Sequence, residues 1–291
     1  AIRSRGLGDV YKRQVMVIRH ILLVTTPKEK ANTMTTTDFI IHLFCMVDDE
    51  MLDVQKHSQA KLYPSETVTI GLLYALKGGS FRGFYRWLTR DYSDLFGRIP
   101  ERTRLQRSLR VHKQWCDRFL AEPTLFTVID SYGIELLHPV REKRSRTPLG
   151  KKGVSNRRWI VGLKLCWLLN NRGEVVAWDW QTANVHDQHF RHLAHQFDGQ
   201  TITLSDNGFR KRGESPRNLK FCGAKTWPER MIVETAFSIV TRICGLKKLS
   251  RRLPKYAETH LAYVSALFNL LLKLGRTSPD DSSMQIAQFS L

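Results

Sequence analysis

The stretch LFTVIDSYGIELL, residues 125–137, decides how this sequence is read. It is mostly apolar, and it sets Asp130 where a short buried strand, LFTVID, should end. A charge at the edge of a core is costly unless something pairs with it, so Asp130 asks for a partner. A second buried run, QTITLSD, closes the same way in Asp206, with Asn207, Gly208 and Phe209 next. If the two runs are parallel neighbours, both carboxylates leave the same edge of a sheet, where open α/β sheets bind their ligands.

The surrounding pattern supplies the rest of that sheet. RRWIVGLKLCWLLN and EVVAWDWQT flank Asn170-Asn171-Arg172-Gly173, a turn signal, and read as a hairpin. NVHDQHFRHLAHQF reads as a helix capped by Asn184, with Asp187 three residues on. NLKFCG, residues 218–223, reads as a further strand. Two helices follow, WPERMIVETAFSIVTRICGLKKL with Pro228 in its first turn, and AETHLAYVSALFNLLLKLG. A hairpin is antiparallel and a strand–helix–strand step is parallel, so the expectation is an α/β layer with a mixed sheet.

The penultimate helix carries a third acid. At about 100° per residue, Trp227, Arg230, Glu234 and Thr241 fall along one line, with Ser238 in the same stripe, beside an apolar face of Val233, Phe237, Val240 and Cys244. Two strand-end aspartates and one helix glutamate can hold two Mg²⁺ ions roughly 4 Å apart, which activate an attacking oxygen and stabilise a leaving oxygen at a phosphodiester.

Composition agrees with such a substrate. The 291 residues include 46 Lys plus Arg against 27 Asp plus Glu, a formal net charge of +19. That surplus favours a polyanion, nucleic acid before membrane or acidic protein. The five cysteines form no CxxC pair, which argues for reduced thiols and against a zinc ribbon. No apolar run reaches the roughly 18 residues of a membrane span. LAYVSALFNLLLKLG, residues 261–275, is shorter and reads as a core helix. No Walker-type phosphate loop occurs.

VIDSY, SDNGF and WPERMIVETAFSIVT together resemble the three acidic motifs of bacterial insertion-sequence transposases with an RNase H-like DDE catalytic core. Asp206, Gly208 and Phe209 match that family's Asp-x-Gly-Phe pattern. Trp227, Arg230 and Glu234 match its Tyr-x2-Arg-x3-Glu-x6-Lys signature, with Thr241 at the final lysine and Arg242 beside it. ANVHDQ resembles the Asn-x-His-Asp segment that precedes the family's core helix. The spacing 234 − 206 = 28 leaves no room for a large insertion between the second and third acids.

The resemblance covers about residues 36–275. It implies an RNase H-like mixed sheet with flanking helices, preceded by an all-α region, and an enzyme that cuts and joins DNA. Asp130, Asp206 and Glu234 would be catalytic residues and ligands of two Mg²⁺ ions, with Mn²⁺ as a substitute. Arg230 would position the scissile phosphate or brace Glu234, and Trp227 would stack near a base. Arg242 would contact DNA, and Gly208 and Asp187 would support the site. The partner would be double-stranded DNA, the transposon ends and the target, bound by a homodimer at the nucleoid of a bacterial cytoplasm.

Two basic segments extend the expected DNA surface. The segment REKRSRTPLGKKGVSNRR, residues 141–158, carries eight basic residues and one acid. It reads as a loop that sets Lys151, Lys152, Arg157 and Arg158 against the DNA backbone. In ERTRLQRSLRVHKQWCDRFL, Leu105, Leu109 and Trp115–Cys116 turn inward, leaving Arg104 and Arg107 for DNA. Each feature has a plainer reading: Asp130 or Asp206 as a turn residue, Glu234 as a solvated helix acid paired with Arg230, the basic runs as solvated faces. Asp179 and Asp187 read as decoys, Asp187 as a helix-start residue. His186, His189, His192 and His195 drift around a helix and do not make a zinc site.

The expected organisation is a non-native or disordered leader over 1–33, with Met34 as the native start, a helical DNA-binding region over 34–122, the catalytic domain over 123–275, and a tail over 276–291. The rival functions are an RNase H-like nuclease without strand transfer and a non-catalytic DNA-binding protein from a decayed element copy.

Overall fold

A computed structural model describes residues 34–144, 151–155, 158–211, 213, 216–223, 231–249, 251, 253–276 and 284. The expected leader, the tail beyond Arg276 except Met284, and Arg157, Trp227, Pro228 and Arg230 lie outside them. The chain divides into two compact units, the first running to Arg118 and the second from Phe119 to Ile286.

The first unit is helical: α1 Thr36–Glu50, α2 Pro64–Lys77, α3 Phe81–Asp91 and α4 Arg102–His112. Proline in the first turn and glycine past the last are common signals that start and stop a helix. Pro64 opens α2 and Gly78, at φ 65°, closes it. Glu66 turns back from the first turn of α2 to accept the backbone N–H of Tyr63 and of Gly97, both at 2.7 Å. Ser65 Oγ donates to the buried Asp48 carboxylate at 2.8 Å, tying α2 to α1. In α4 Leu105 and Leu109 are buried, and Arg104 and Arg107 are exposed.

The second unit holds one mixed sheet of β1 Phe126–Leu137, β2 Lys151–Ser155, β3 Arg158–Asn170, β4 Val175–Thr182, β5 Ile202–Ser205 and β6 Leu219–Phe221. Its order is β2-β3-β1-β5-β6, with β4 also on β3. The register gives β2 the first half of the outer edge of β3 and β4 the second half. The hairpin β3–β4 forms as expected about Gly173, at φ 77°. β1 runs antiparallel to β3 but parallel to β5, and β5 parallel to β6. This is an RNase H-like α/β arrangement.

Three expectations are corrected. β1 does not end at Asp130. It continues to Leu137 because β3 offers an antiparallel ladder along its whole length, whereas β5 pairs only with Phe126–Val128. The basic segment 141–158 is not simply a loop: Lys151–Ser155 pairs with β3 as an edge strand. The helix after ANVHDQ shrinks to a 3₁₀ turn, Asp187–Phe190, and a short α5, Arg191–His195. Asn184 does not cap it, since its side chain accepts from Thr182 Oγ1 at 2.7 Å.

Two helices, α6 Met231–Ile243 and α7 Pro254–Gly275, pack on one face of the sheet. The fully buried Trp167 of β3 joins them. Its ring lies 5.1 Å from those of Phe237 (α6) and Phe268 (α7), and its Nε1–H donates to Ser265 Oγ at 2.9 Å. Asn269 of α7 accepts from Val175 N–H at 2.7 Å. The opposite face buries Ile129, Cys166, Leu168, Phe190, Leu193 and Phe209. Residues 261–272 are buried, as a core helix requires, and no described helix is long and apolar enough to cross a membrane.

Candidate active site

The site begins where β5 stops. The β1–β5 ladder pairs Phe126 with Ile202 and Val128 with Leu204, an offset of 202 − 126 = 76. Asp130 and Asp206 differ by the same 206 − 130 = 76 positions. The ladder stops two residues earlier, at Val128 and Leu204, and its offset carried on would set Asp130 opposite Asp206, the first residue past the end of β5. A buried threonine pair fixes that register: Thr127 Oγ1 and Thr203 Oγ1 lie 2.9 Å apart, and a one-residue slip would send them to opposite faces.

Each aspartate is oriented by local backbone. Asp130 Oδ1 accepts the Ser131 N–H at 2.7 Å. Asp206 Oδ1 accepts the Gly208 N–H at 2.8 Å, opening the 3₁₀ turn Asn207–Phe209. Gly208 keeps this corner open, because a Cβ there would stand 2.9 Å from Asp206 Oδ1 and 3.2 Å from Asp187 Oδ2. The turn reading of Asp206 is thus correct as geometry and coexists with its place at the site.

The pleat decides which way Asp130 faces. It pairs with Trp167 across the β1–β3 ladder, so both lie on the α6/α7 face. Tyr132, two residues on, stacks on Phe237 of α6 at 5.2 Å. Glu234 lies on that same helix, about one turn before Phe237, with an exposed side chain. Val233, Phe237 and Val240 are buried, as the sequence pattern required.

The other face carries a polar cluster that the sequence did not announce. Ser131 Oγ donates to Asp187 Oδ1 at 2.6 Å, and Lys164 Nζ pairs with the same oxygen at 3.0 Å. Asp179 pairs with His192 Nε2 at 3.3 Å. Cys166 sits among these acids. Burial, and then the charges of Asp130, Asp187 and Asp179, push its thiol well above the ordinary cysteine range. Asp187 opens the 3₁₀ turn, as a helix-start residue does, and its carboxylate borders the corner at Gly208.

A divalent cation can be tested against this geometry. The carboxylate oxygens of Asp130 and Asp206, the latter beside a notch a Cβ would fill, are the hard donors that divalent cations prefer. Among the described residues, no three His, Cys, Asp or Glu side chains stand together as a metal-holding group, whether Glu234 or Asp187 is taken as the third. The structure places Asp130 on β1, Asp206 just past the end of the neighbouring β5, and Glu234 on the helix packed over β1.

The predicted DNA contacts are surface groups. Lys151, Lys152, Arg158 and Arg242 are exposed. Trp159, which the sequence reading passed over, is 58% exposed, and Lys152 Nζ lies 4.9 Å from its ring centroid. In the first unit a cleft of about 470 Å³ is lined by Arg82, Tyr85, Arg86, Glu101 and Arg102. The spacing of Arg82 and Arg86 at i and i+4 was the signal available for it. A second cleft, of about 490 Å³, opens between Leu125 and Arg217 at the start of β1 and β5. It lies at the start of both strands, before the aspartates, and is not part of their site.

The second unit is RNase H-like in its α/β arrangement, with Asp130 on β1 and Asp206 just past the neighbouring parallel β5. Residues 120–215 match a protein family described as a transposase DDE domain. The match takes in β1 through the Asp206–Gly208 turn and stops short of Glu234, and it supports a transposase with a DDE core. No curated protein matches the chain.

Proposed function

We propose that this chain is a DNA transposase that binds the terminal inverted repeats of its element and catalyses metal-dependent strand cleavage followed by strand transfer. The observation that carries the proposal is the parallel pairing of β1 with β5, whose offset of 76 is also the spacing of Asp130 and Asp206. Mg²⁺ or Mn²⁺, when bound, would activate the attacking oxygen and stabilise the leaving one.

Asp130 and Asp206 would hold the cations, and Glu234 would complete the ligand set from α6 when DNA is bound. In the first step, water attacks the phosphorus at the transposon end. A new P–O bond forms, the P–O3′ bond breaks, and a 3′-OH is freed while the flank keeps the 5′-phosphate. In the second step, that 3′-OH attacks a target phosphorus and releases a target 3′-OH. Arg230 would position the scissile phosphate, and Trp227 would stack at the transposon end. Lys151, Lys152, Arg158, Arg242 and Trp159 would line the approach of the duplex. Two ends must be joined together, which calls for two copies of the chain on DNA.

The test uses the full chain, DNA carrying the element's ends, and Mg²⁺. Asp130→Asn, Asp206→Asn and Glu234→Gln should each lower cleavage by about a thousandfold or more while retaining DNA binding, since the lost stabilisation acts at the transition state. Full cleavage by all three variants would defeat the catalytic assignment. Cleavage without joining of precut ends would indicate a nuclease, and binding without either step a DNA-binding protein.

A further inference from the structure

Lys164 is a lysine that the fold keeps from water. It stands in β3 opposite Gly133 and is 8% exposed. Its ammonium donates to Val185 O at 2.9 Å and pairs with Asp187 Oδ1 at 3.0 Å. Taking an ion pair out of water is close to neutral or unfavourable beside an apolar pair of the same volume. Packing alone would be served as well by a methionine, so the pair calls for another role.

Its surroundings supply one. Asp187 Oδ1 also accepts the Ser131 hydroxyl at 2.6 Å, and the Ser131 N–H donates to Asp130 Oδ1 at 2.7 Å. Asp187 Oδ2 and Asp206 Oδ1 both border the corner at Gly208, where a Cβ would meet them at 3.2 and 2.9 Å. One carboxylate thus touches the residue that orients Asp130 and the turn that orients Asp206. Lys164 holds that carboxylate from a central strand, whose own position is set by ladders on both edges.

We propose that the Lys164–Asp187 pair, acting through Ser131 and the Gly208 turn, fixes the separation and orientation of the Asp130 and Asp206 carboxylates for cation binding. Lys164, Asp187 and Ser131 are positioning residues. With Oδ1 taken by a hydroxyl and an ammonium, Asp187 serves as a brace and not as a ligand. Groups that orient metal ligands from behind commonly change metal affinity 10- to 100-fold when removed. The inference rests on reading Asp130 and Asp206 as cation ligands.

The test reads Mn²⁺ binding to the full chain by electron paramagnetic resonance, without DNA. Circular dichroism and thermal unfolding in chelator report the fold. Asp130→Asn and Asp206→Asn should abolish the binding. Ser131→Ala, and the double change Lys164→Met with Asp187→Ala, should weaken it by about 10- to 100-fold in folded protein. Ser131→Thr, which keeps the hydroxyl, should bind nearly as the parent does. Parental affinity in folded Ser131→Ala and in the double variant would overturn the brace and leave the ligand reading intact. Equal weakening by Ser131→Thr would assign the effect to strand distortion and also count against it. Mn²⁺ binding indifferent to Asp130→Asn and Asp206→Asn would overturn the ligand reading, and the brace with it. Should the double variant fail to fold, the contrast between Ser131→Ala and Ser131→Thr decides.

Discussion

Asp206 Oδ1 accepts a hydrogen bond from the Gly208 N–H, which sets its direction at the turn. Gly208 does more than give that bond a flexible donor, because it leaves empty the space that a methyl group would take beside two carboxylates. Gly208→Ala should push Asp206 Oδ1 aside, or pull the turn off β5, by a few tenths of an ångström. Small displacements of reacting groups cost rate steeply, about a hundredfold for 1 Å. The expected outcome is a loss of about tenfold or more in Mg²⁺-dependent cleavage, with thermal unfolding in chelator nearly unchanged. Undiminished cleavage would show that the corner tolerates a side chain and that Asp206 is not held by it. This residue was legible in the sequence, since Asp-x-Gly-Phe after an apolar run signals both a turn and a strand-end acid. Ser131 and Lys164 were not. Their importance arises from a contact between β1, β3 and the turn after β4, and no local pattern records which side chains a sheet will bring face to face.

At the scale of elements, what was legible had a period or a punctuation mark. Pro64 and Gly78 bounded α2, Asn170–Gly173 turned the hairpin, and the apolar stripe of α6 found the sheet. What misled had neither. β1 runs past Asp130 because its partner β3 is thirteen residues long, which only pairing reveals. Lys151–Ser155 became a strand because the outer edge of β3 needed a partner, although its lysines and glycine disfavour one. The end of α4 shows an element whose stability titrates. His112 Nδ1 lies 2.9 Å from Ser108 O, one turn back, and burial lowers the pKa of His112 below its ordinary 6.5. The neutral ring is the folded form, so the unfolded chain takes up the proton first. The contribution of His112 is complete above about pH 6.5 and is lost as pH falls through the depressed folded value. Urea unfolding of the helical unit should therefore show a falling midpoint from pH 7 to pH 5, and His112→Gln should flatten that slope. Glu66 works in the opposite sense. Burial raises its pKa, so its contribution is complete below the unfolded value of 4.5 and is lost as pH rises through the raised one. An unaltered slope in His112→Gln would remove His112 from the account.

Across the whole molecule, a net charge of +19 repels itself and attracts a polyanion. The second unit brings part of that charge to the outer edge of its sheet, where Lys151, Lys152 and Arg158 are exposed beside Trp159. The first unit brings another part to the surface of α4, with Arg104 and Arg107. Edge lysines also discourage strand-to-strand aggregation, so exposure alone does not make Lys151 and Lys152 DNA contacts. Salt dependence separates the two roles. Each phosphate that a lysine or arginine neutralises contributes about −0.9 to the slope of log affinity against log salt. If the sheet edge meets the DNA backbone, the change Lys151→Gln, Lys152→Gln and Arg158→Gln together should make the full chain's slope shallower by roughly 2 to 3. It should also weaken binding to every duplex alike. Arg104→Gln with Arg107→Gln should take off up to roughly 2 more, since the residues act on different phosphates. Asp130→Asn should leave the slope as it is, because it changes the chemistry at a phosphate and not the number of counterions released. A parental slope in the sheet-edge variant would assign those lysines to guarding the edge and move the DNA path elsewhere on the protein, with the arginines of the α3–α4 cleft as the next surface to neutralise.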